Sequence, residues 1–433
     1  MERYSEYKNS GVYYIPQIPS EWNVLKGKIL FKQEKRPVNK EDEIVTCFRD
    51  GEVTLRKNRR LEGFTNSLKE IGYQGIRKGD LVIHNMDAFA GAIGVSDSDG
   101  KGTPVYAVCT PIREDANQFY YCYLLRFLAK TGFIQSLAKG IRERSTDFRY
   151  GDFKELLLPV PSRAEQDAIV RYLDFATSEI DKAIAKQQKM IDLLNERKQI
   201  IIQNAVTKGL DENVEMKESG VEFVNEIPHN WPTRRLKFSA WIRARLGWKG
   251  LKASEYVENG YPFLSAFNIE NDHMKWNNLN FINKYRYDES PEIKLKVGDL
   301  LLVKDGAGIG KCARIDKLPY GESTANGSLA VITSYDMLDY RYLYYFMVSK
   351  SFKDHTELLI NGMGVPHFTQ GEMKKIVMPV PPQAEQQQIV TYLDGEMEKF
   401  DSAITNCQRQ ITLLQERKQI IINEVVTGKV RVS

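Results

Sequence analysis

The chain has 433 residues, enough for two to four domains of ordinary size. Its 61 lysines and arginines nearly balance its 57 aspartates and glutamates, so the net charge of +4 is weak evidence for a polyanionic partner, and any basic surface must be local. Five scattered cysteines without a CxxC pair indicate a reduced compartment, and the sequence has neither a signal-peptide core nor a run of about 18 apolar residues, so we expect a cytoplasmic protein without a membrane span.

A motif near the start of the chain returns in its second half. "SGVYYIPQIPSEW" (Ser10 to Trp22) matches "SGVEFVNEIPHNW" (Ser219 to Trp231), an offset of 209 between positions 10 and 219. A later pair, "LPVPSRAEQ" from Leu158 and "MPVPPQAEQ" from Met378, has an offset of 220 between positions 158 and 378, so the second copy carries 11 extra residues. A repeat this long is a duplicated domain rather than a solenoid unit.

The middles of the two copies share little beyond one predicted strand. That strand is "KGDLVI" at Lys78 to Ile83 and "VGDLLL" at Val297 to Leu302. Sequence drift alone would change the flanking segments of each copy (its frame) and the middle segment (its contents) to the same extent. Similar frames with different contents therefore indicate two domains that recognise different targets.

Basic residues cluster locally once the chain is divided. "RKNRR" carries Arg56, Lys57, Arg59 and Arg60, and the stretch Thr233 to Lys252 holds seven basic residues and no acidic one. From the second stretch we select as DNA-contact candidates Arg243, Arg245, Trp248, Lys249 and Lys252. Arginine beside aromatic residues suits phosphate contact and base-edge readout. Each run taken alone also fits a solvated charged surface.

A third cluster, "GIRERSTDFRYGD", lies just before the helical end of the first repeat. Its candidate residues, beside Phe148 and Tyr150, are Arg142, Arg144 and Arg149. At the offset of 220 the second copy reads "NGMGVPHFTQGEM", which keeps Phe368 but replaces the arginines and adds His367. If these loops touch bases, the two modules prefer different ones. His367 equally fits an ordinary surface-loop histidine.

Catalytic motifs are missing from the sequence. "VKDGAGIGKC" (Val303 to Cys312) looks like a phosphate loop, but Asp305 stands where the motif needs glycine and Cys312 where it needs Ser or Thr. Its counterpart from Asn85 to Val95 favours the tight turn of a repeated hairpin. We find neither HExxH nor GxSxG, and no nuclease or methyltransferase motif, so we predict no catalytic residue and no metal site.

Each repeat ends in a predicted helical segment. Ser162 with Glu165 forms a capping box in the first copy, and Pro382 suits the first helical position in the second. The apolar pattern breaks at Phe175 and at Gly395. We therefore predict a short helix followed by a longer one, over about 178–206 and about 398–426, each closing near a glycine.

The longer helices carry apolar stripes with the alternating spacing of a coiled coil. The stripe residues are Ile180, Ile184, Ile191, Leu194 and Ile201, and Phe400, Ile404, Ile411, Leu414 and Ile421. Either stripe alone also fits an amphipathic helix packed on its own domain. For an antiparallel pair we predict the register that sets Ile191 against Leu414 and Lys198 against Cys407, because it keeps lysines away from large aliphatic partners.

These features together resemble the specificity subunit of type I restriction-modification systems. The resemblance rests on two unlike globular domains that alternate with two near-identical helical segments, each introduced by "PVPSRAEQ" or "PVPPQAEQ" and containing "ERKQIII". It covers essentially the whole chain, including the "SGVxxxxxIPxxW" motif and the "GDL" strand of each repeat.

The resemblance implies an α+β fold with two mixed α/β target recognition domains, separated by two long antiparallel coiled-coil helices, in a pseudo-twofold internal repeat. The boundaries follow as target recognition domains 1–157 and 210–377 and helical spacer regions 158–209 and 378–433. Each domain would bind one half of a bipartite, asymmetric double-stranded DNA target. A helix of about 29 residues is about 44 Å long, slightly more than one turn of B-DNA, so the helices would fix the gap between the halves.

The resemblance also implies partners that carry the catalysis. These are two methyltransferase subunits that use S-adenosylmethionine to methylate adenine and, in the full complex, ATP-driven restriction subunits. The chain itself would be non-catalytic and hold no cofactor. Two other interpretations stay open from the residues alone: a standalone nucleic-acid-binding protein without a methyltransferase partner, and a structural two-domain tether with protein partners.

Overall fold

The structure is a computed structural model that describes residues 2–59, 71–137, 147–245, 251–306, 308–360 and 367–432. The chain divides into two units, of which unit 1 is Met1–Gln187 with Arg409–Ser433 and unit 2 is Gln188–Gln408. Both divisions fall inside long helices, so each unit contains part of both. The predicted boundaries between domains and spacer regions separate the helices from the domains instead, and they stay a prediction.

The elements of unit 1 begin with short strands and end in a long helix. Its strands are β1 (Tyr7–Asn9), β2 (Gln17–Pro19), β3 (Asn23–Lys26), β4 (Phe31–Gln33), β5 (Val45–Cys47), β6 (Val53–Leu55), β7 (Gln74–Ile76), β8 (Leu81–His84), β9 (Ile93–Val95), β10 (Gly100–Gly102), β11 (Tyr106–Pro111) and β12 (Leu157–Val160). Its helices are α1 (Gly27–Leu30), α2 (Gln118–Lys130), α3 (Phe133–Ser136), α4 (Tyr150–Phe153) and the first part of α5 (Arg163–Lys208).

Unit 2 follows the same order with a different middle. Its strands are β13 (Met216–Val221), β14 (Val224–Pro228), β15 (Thr233–Arg235), β16 (Ala240–Ala244), β17 (Tyr261–Leu264), β18 (Ile269–Glu270), β19 (His273–Met274), β20 (Asn280–Ile282), β21 (Asp299–Val303), β22 (Cys312–Arg314), β23 (Thr324–Ala325), β24 (Leu329–Ser334) and β25 (Val377–Pro379). Its helices are α6 (Lys284–Asp288), α7 (Tyr340–Val348), α8 (Lys350–Ile360), α9 (Gln370–Lys375) and the first part of α10 (Gln383–Val426).

The central sheets of the two units have the same topology. In unit 1 antiparallel strands run in the order β4-β11-β8-β9, and in unit 2 in the order β16-β24-β21-β22. The "GDL" strands β8 and β21 are interior strands, and their apolar residues are fully buried, as a strand covered on both faces requires. The pairs β8–β9 and β21–β22 confirm the predicted repeated hairpin.

The repeated glutamine of the "AEQ" motif ties each long helix to its unit. Gln166 accepts a bond from the backbone N–H of Asn117 (2.9 Å), which caps α2, and donates to two backbone carbonyls. Gln386 makes the same three bonds in unit 2, where Asp339 caps α7. Both glutamines are almost completely buried, so these bonds fix where each long helix starts relative to its sheet.

The middles of the units differ, as predicted. Unit 1 has the hairpin β5–β6 and the pair β7–β10, whereas unit 2 has β17 between β20 and a parallel β23, with the hairpin β18–β19. Separate apolar clusters fill these regions. The structure therefore confirms the α+β fold with two repeated domains, common frames and different contents.

The predicted helix break is wrong. α5 and α10 each run without interruption through Phe175 and Gly395, and both of these residues are exposed. A solvent-facing aromatic or glycine weakens a helix by about 1 kcal/mol or less, which many neighbouring backbone bonds outweigh. The predicted ends are confirmed, because α5 starts after Ser162 and each helix closes within two residues of a glycine with positive φ, Gly209 or Gly428.

The helices are antiparallel within unit 1, but the predicted register is wrong. Gln187 of α5 bonds Gln410 of α10 (2.7 Å), and Asp181 pairs with Lys418 (2.6 Å). In unit 2 the equivalent ion pair joins Lys198 to Asp401 (2.7 Å). These contacts require a register one heptad away from the predicted one. The prediction assumed that a stripe lysine needs an uncharged partner, whereas its long side chain reaches past the stripe to a carboxylate beside it.

The carboxyl-terminal ends of the long helices are held by a buried tyrosine in each unit. In unit 1 the Tyr120 hydroxyl donates to the carbonyl oxygen of Val426 in α10 (3.0 Å), and in unit 2 the Tyr342 hydroxyl donates to that of Val206 in α5 (3.1 Å). These bonds satisfy carbonyls that a helix end leaves without a partner. All ten predicted stripe residues are buried or half-buried.

Candidate nucleic-acid interfaces

Each unit carries a loop tethered to the end of its "GDL" strand. Beyond the end of β8, the backbone N–H of Phe148 donates to the carbonyl of Asn85 (3.1 Å), and beyond the end of β21 that of Phe368 donates to Lys304 (2.8 Å). Both phenylalanines are buried and anchor the loop. We call these places edge 1 (Asn85 with 147–149) and edge 2 (Lys304, Asp305, 326–328 and His367).

Edge 1 borders an open cleft of about 960 Å³. Three cationic side chains line the cleft, those of Lys35, Arg36 and Arg149, together with Tyr73 and polar groups of the sheet. Lys35 and Arg149 are exposed, and Arg149 is bonded to Asp147 (2.6 Å). A concave surface lined by cations and aromatic rings suits a nucleic-acid backbone and its bases.

Arg36 is held more firmly than the other two cations. Its guanidinium pairs with the carboxylate of Asp80, the aspartate of the "GDL" motif, whose side chain is only 3% exposed. The backbone N–H of Arg77 also donates to Asp80 (2.7 Å). Hydrogen bonding to Asp80 raises the pKa of Arg36 although burial opposes the rise. Arg36 is therefore held in a fixed position at the cleft wall, with its charge balanced by Asp80.

The predicted basic run after β6 forms a short turn whose charges are already paired. Lys57 contacts Glu43, and Arg59 pairs with Asp50 (2.7 Å) and Glu52 (3.2 Å) over the ring of Phe48. The Arg56 guanidinium donates to the hydroxyl of Thr46 (3.3 Å). Exposed ion pairs contribute little to stability, so a DNA phosphate could replace these carboxylates at small cost. Arg60 lies outside the described residues.

Arg243 and Arg245 do not fit their predicted role in DNA contact. Arg243 is buried and pairs with Asp299 (2.8 Å), whose side chain is fully buried. Burial lowers the pKa of Arg243, although Asp299 opposes this. The Arg245 side chain is 8% exposed and pairs with Glu289 (3.3 Å). These two arginines are part of the internal structure of unit 2, because a buried and paired guanidinium cannot reach a phosphate.

The sequence itself indicates that Asp299, the partner of Arg243, needs a cation. Asp80 and Asp299 occupy the same place in the two "GDL" motifs, and each binds an arginine from the strand region that precedes it. A repeated aspartate at the start of a buried strand needs a cationic or hydrogen-bonding partner. Of the remaining candidates, Arg142, Arg144, Trp248 and Lys249 lie outside the described residues, and Lys252 is exposed.

Edge 2 has a different chemical character. His367 contacts the carboxylate of Asp305 through Nδ1, and the ammonium of Lys304 pairs with the same carboxylate (2.6 Å). Burial raises the pKa of Asp305, but hydrogen bonds from Lys304 and His367 outweigh it and hold that pKa below its ordinary value. The ionised carboxylate orients the imidazole through its Nδ1 atom. In the sequence Lys304 and Asp305 stand inside a predicted tight turn, and nothing there indicates their contact with His367.

The outer faces of the two long helices carry a repeated apolar pair. Leu193 and Ile200 on α5 are 50% and 52% exposed, and Leu413 and Ile420 on α10 are 53% and 54% exposed. The members of each pair are seven residues apart and so lie on one face of the helix. The two pairs are equivalent at the offset of 220, and sequence analysis, which followed only the buried stripes, missed them.

Within the described ranges, no helix has the length and apolar character needed to cross a membrane. Across the same ranges, no group of three or more His, Cys, Asp or Glu side chains is arranged to hold a metal ion.

Comparisons with known proteins identify similar chains. A family model described as a type I restriction modification DNA specificity domain matches residues 247–415. The specificity subunit of the type I restriction enzyme MjaVIII from Methanocaldococcus jannaschii is 27% identical over 73% of this chain and 71% of its own length. The putative MjaX specificity subunit of the same organism is 22% identical over 96% of both chains. The EcoKI specificity subunit of Escherichia coli is 22% identical over 47% of this chain and 44% of its own.

Solved structures show the same fold. A chain from a structural study of the assembly and conformational transition of the type I R-M system aligns with a TM-score of 0.71 at 16% identity, covering 95% of this chain and 99% of its own. The HsdS subunit from Thermoanaerobacter tengcongensis aligns with a TM-score of 0.51 at 17% identity, covering 95% and 98%. Both alignments extend over the two repeated frames and the long helices.

Proposed function

This chain belongs to the specificity subunits of type I restriction-modification systems, and we propose that each of its units recognises one half of a bipartite, asymmetric target in double-stranded DNA. The observation that carries the proposal is the contrast between edge 1 and edge 2. Equivalent backbone bonds hold both edges in their units, yet the cleft beside edge 1 is lined by Lys35, Arg36 and Arg149, while edge 2 carries the cluster of Lys304, Asp305 and His367. Two different surfaces on two similar domains suit an asymmetric DNA sequence, just as the identical surfaces of a symmetric dimer suit a palindromic one.

In this proposal the two long helices set the gap between the two halves of the target. α5 and α10 are continuous helices of 46 and 44 residues, and their antiparallel contacts recur at equivalent positions. A helix rises about 1.5 Å per residue, so one heptad corresponds to about three base pairs of B-DNA. The number of heptads would then determine the number of unread base pairs.

The partners in this proposal are two methyltransferase subunits that dock on the outer faces of the helices. Two equivalent apolar pairs, Leu193 with Ile200 and Leu413 with Ile420, support two copies of one partner rather than a single unique one. The methyltransferase subunits would bind S-adenosylmethionine and methylate adenine, and ATP-driven restriction subunits would join in the full complex. The chain itself would direct these activities without a catalytic role.

The test of target recognition is adenine methylation mapped by single-molecule sequencing in source cells with the gene intact and with it deleted. Loss of one bipartite, asymmetric methylated motif on deletion is the expected result, and it would identify both half-sites. A methylome that keeps every motif after deletion, in cells where the chain is expressed together with the methyltransferase, would contradict the proposal.

The docking surface has a matched control in the chain. Leu193→Asp with Leu413→Asp should weaken binding of the methyltransferase subunits at least 10-fold, because each leucine contributes about 1.5–3 kcal/mol on burial. Asn195→Asp with Gln415→Asp adds the same charges at equivalent exposed positions on the other side of each helix and should change nothing. Light scattering of the purified complexes measures the subunit ratio. Equal assembly by the two double variants would eliminate these faces as docking sites.

A further inference from the structure

One aromatic side chain of unit 2 is almost fully in solvent. Phe267 is 95% exposed and sits on the turn Ala266–Asn268 that follows β17. The other side chains of this turn and its cap are small or polar, those of Ser265, Ala266 and Asn268. A protein-binding surface usually presents several apolar side chains together. A single ring raised on a polar turn needs another explanation.

The turn that carries Phe267 is rigid. Asn268 is buried, and its side-chain oxygen accepts a bond from the backbone N–H of Ser265 (3.0 Å). The backbone N–H of Asn268 donates to the carbonyl of Ser265 (2.9 Å), and that of Lys275 donates to the carbonyl of Asn268 (2.8 Å). These bonds fix the backbone on both sides of Phe267, which reduces the backbone entropy lost when its ring binds.

Strand pairing brings this turn to edge 2. Leu264, the last residue of β17, lies beside Ala325 of the parallel strand β23, and its carbonyl accepts a bond from Asn326 (2.7 Å). The backbone N–H of Lys304 in turn donates to the carbonyl of Ser328 (2.9 Å). The ends of β17, β23 and β21 thus lie at one border of the unit. Phe267 projects at the same border as the charged and polar groups of edge 2.

We propose that Phe267 is a base-stacking residue with which unit 2 holds its half of the DNA target. This inference rests on the proposed function and adds to it the group that contacts a base. Phenylalanine rings enter DNA as wedges between base steps or stack on bases that have left the helix. His367, whose side chain is 50% exposed at the same border, supplies a polar contact to a base edge beside such a ring.

A stacking role predicts a specific change in binding. Phe267→Ala should weaken binding to the target duplex by about 5- to 100-fold, the loss that removal of one base–aromatic stack produces. The dependence of affinity on salt should stay as it is, because no cation is removed. Phe267→Trp should bind almost as tightly as the unchanged protein, since its ring stacks as well. Thermal stability should be the same in all variants because the side chain is exposed.

The chain offers a matched control at the opposite border of the same sheet. Phe238 is 59% exposed and also lies on a short turn, Leu236–Phe238, just before the start of β16. β16 begins opposite the end of β24 at Ser334, whereas β21 ends opposite the start of β24 at Leu329. Phe238→Ala removes an equal ring and should leave DNA affinity unchanged.

The experiment uses the complex of the full chain with its methyltransferase subunits and a duplex that contains the methylated motif. Fluorescence anisotropy measures affinity over a series of salt concentrations. 2-Aminopurine, placed in turn at positions of both half-sites other than the methylated adenines, reports stacking. We expect one position in one half-site to change its fluorescence with the unchanged protein and with Phe267→Trp, but not with Phe267→Ala.

Two results would overturn the assignment. One is a Phe267→Ala complex that binds the duplex as tightly as the unchanged complex. The other is a variant that assembles poorly with the methyltransferase subunits while its assembled fraction binds DNA normally, since this would make the ring a protein contact. Failure of the proposed function looks different, because the unchanged complex would then show no preference for the motif over a scrambled duplex.

Discussion

Asp299→Asn should strongly destabilise unit 2 and leave unit 1 unaffected. The Asp299 carboxylate is fully buried, pairs with the Arg243 guanidinium at 2.8 Å, and accepts a bond from the backbone N–H of Lys296 (2.9 Å). Asparagine keeps the size of the side chain and part of its bonding but removes the negative charge. The guanidinium of Arg243 then stays in the protein interior without a counter-charge.

The magnitude follows from the burial of both partners. Loss of one partner of a buried ion pair costs about 3–5 kcal/mol, because the remaining charge is not compensated. A domain of this size is stable by about 5–15 kcal/mol, so unit 2 would lose a large part of its stability. Replacing both partners, as in Arg243→Met with Asp299→Leu, should recover much of the loss, since no unpaired charge remains.

Hydrogen exchange measures the two units separately in one sample. The buried amides of β21 report on unit 2 and those of β8 on unit 1, and only the former should exchange faster in Asp299→Asn. Asp147→Asn, which removes the exposed partner of Arg149, is the control and should change neither strand. Normal protection of β21 in Asp299→Asn would refute the structural role. So would an Arg243→Met variant that keeps its stability but loses DNA affinity, because Arg243 would then be a DNA contact as first predicted.

Three further changes test the frame and the helices. Gly428→Ala should lower the free energy of unfolding by at least 1–2 kcal/mol. Gly428 has φ +73°, and an added Cβ would lie 2.5 Å from Pro19. In Gly209→Ala the added Cβ meets its first neighbour only at 3.1 Å, so the loss of unfolding free energy should be smaller. Urea unfolding measures both losses, and the reverse order would contradict this prediction. Gln386→Ala removes three buried hydrogen bonds and should cost about 2–4 kcal/mol by the same assay, so an unchanged midpoint would exclude a clamping role. Deletion of 186–192 together with 406–412 removes one facing heptad from each helix and should shorten the gap in the methylated motif by about three base pairs; an unchanged gap would reject the spacer role.

The frames could be predicted from the sequence because their motifs correspond to individual contacts. The glutamine of "AEQ" bonds the cap of the following helix, and the tryptophans of the "SGVxxxxxIPxxW" motif are buried in each unit. The "GDL" strands are interior strands. Residues that serve the same contact in both copies stay recognisable at a fixed offset, which makes a repeated frame visible in a single sequence.

The edges could not be predicted in the same way, because they depend on which strand ends meet. Phe267 and Lys304 are 37 positions apart in the sequence, and only the pairing of β17 with β23 brings them to one border. Arg243 failed as a DNA contact for the same reason. Its partner Asp299 is distant in sequence, and a basic run alone does not tell whether a guanidinium faces solvent or a buried carboxylate.

The register shows that a correct physical rule can be applied to the wrong pair of groups. An ammonium does avoid burial against large aliphatic residues, and the predicted register respected that for Lys198 and Lys418. The error was to compare only residues within the two stripes. Asp181 and Asp401 stand directly beside the stripes and can receive lysines that approach from the facing helix. Charges flanking a coiled-coil stripe must therefore be counted together with the stripe when a register is predicted.

The way each unit uses the long helices explains why the frames match while the edges differ. Tyr120 holds the end of α10 within unit 1, and Tyr342 holds the end of α5 within unit 2. The two helix ends are nearly identical in sequence, so the frames that bind them must offer the same contacts. The bonds described above for edges 1 and 2 join residues outside the long helices, so the edges carry no such constraint. A change of DNA target would therefore be expected at the edges, where it leaves the helix contacts intact.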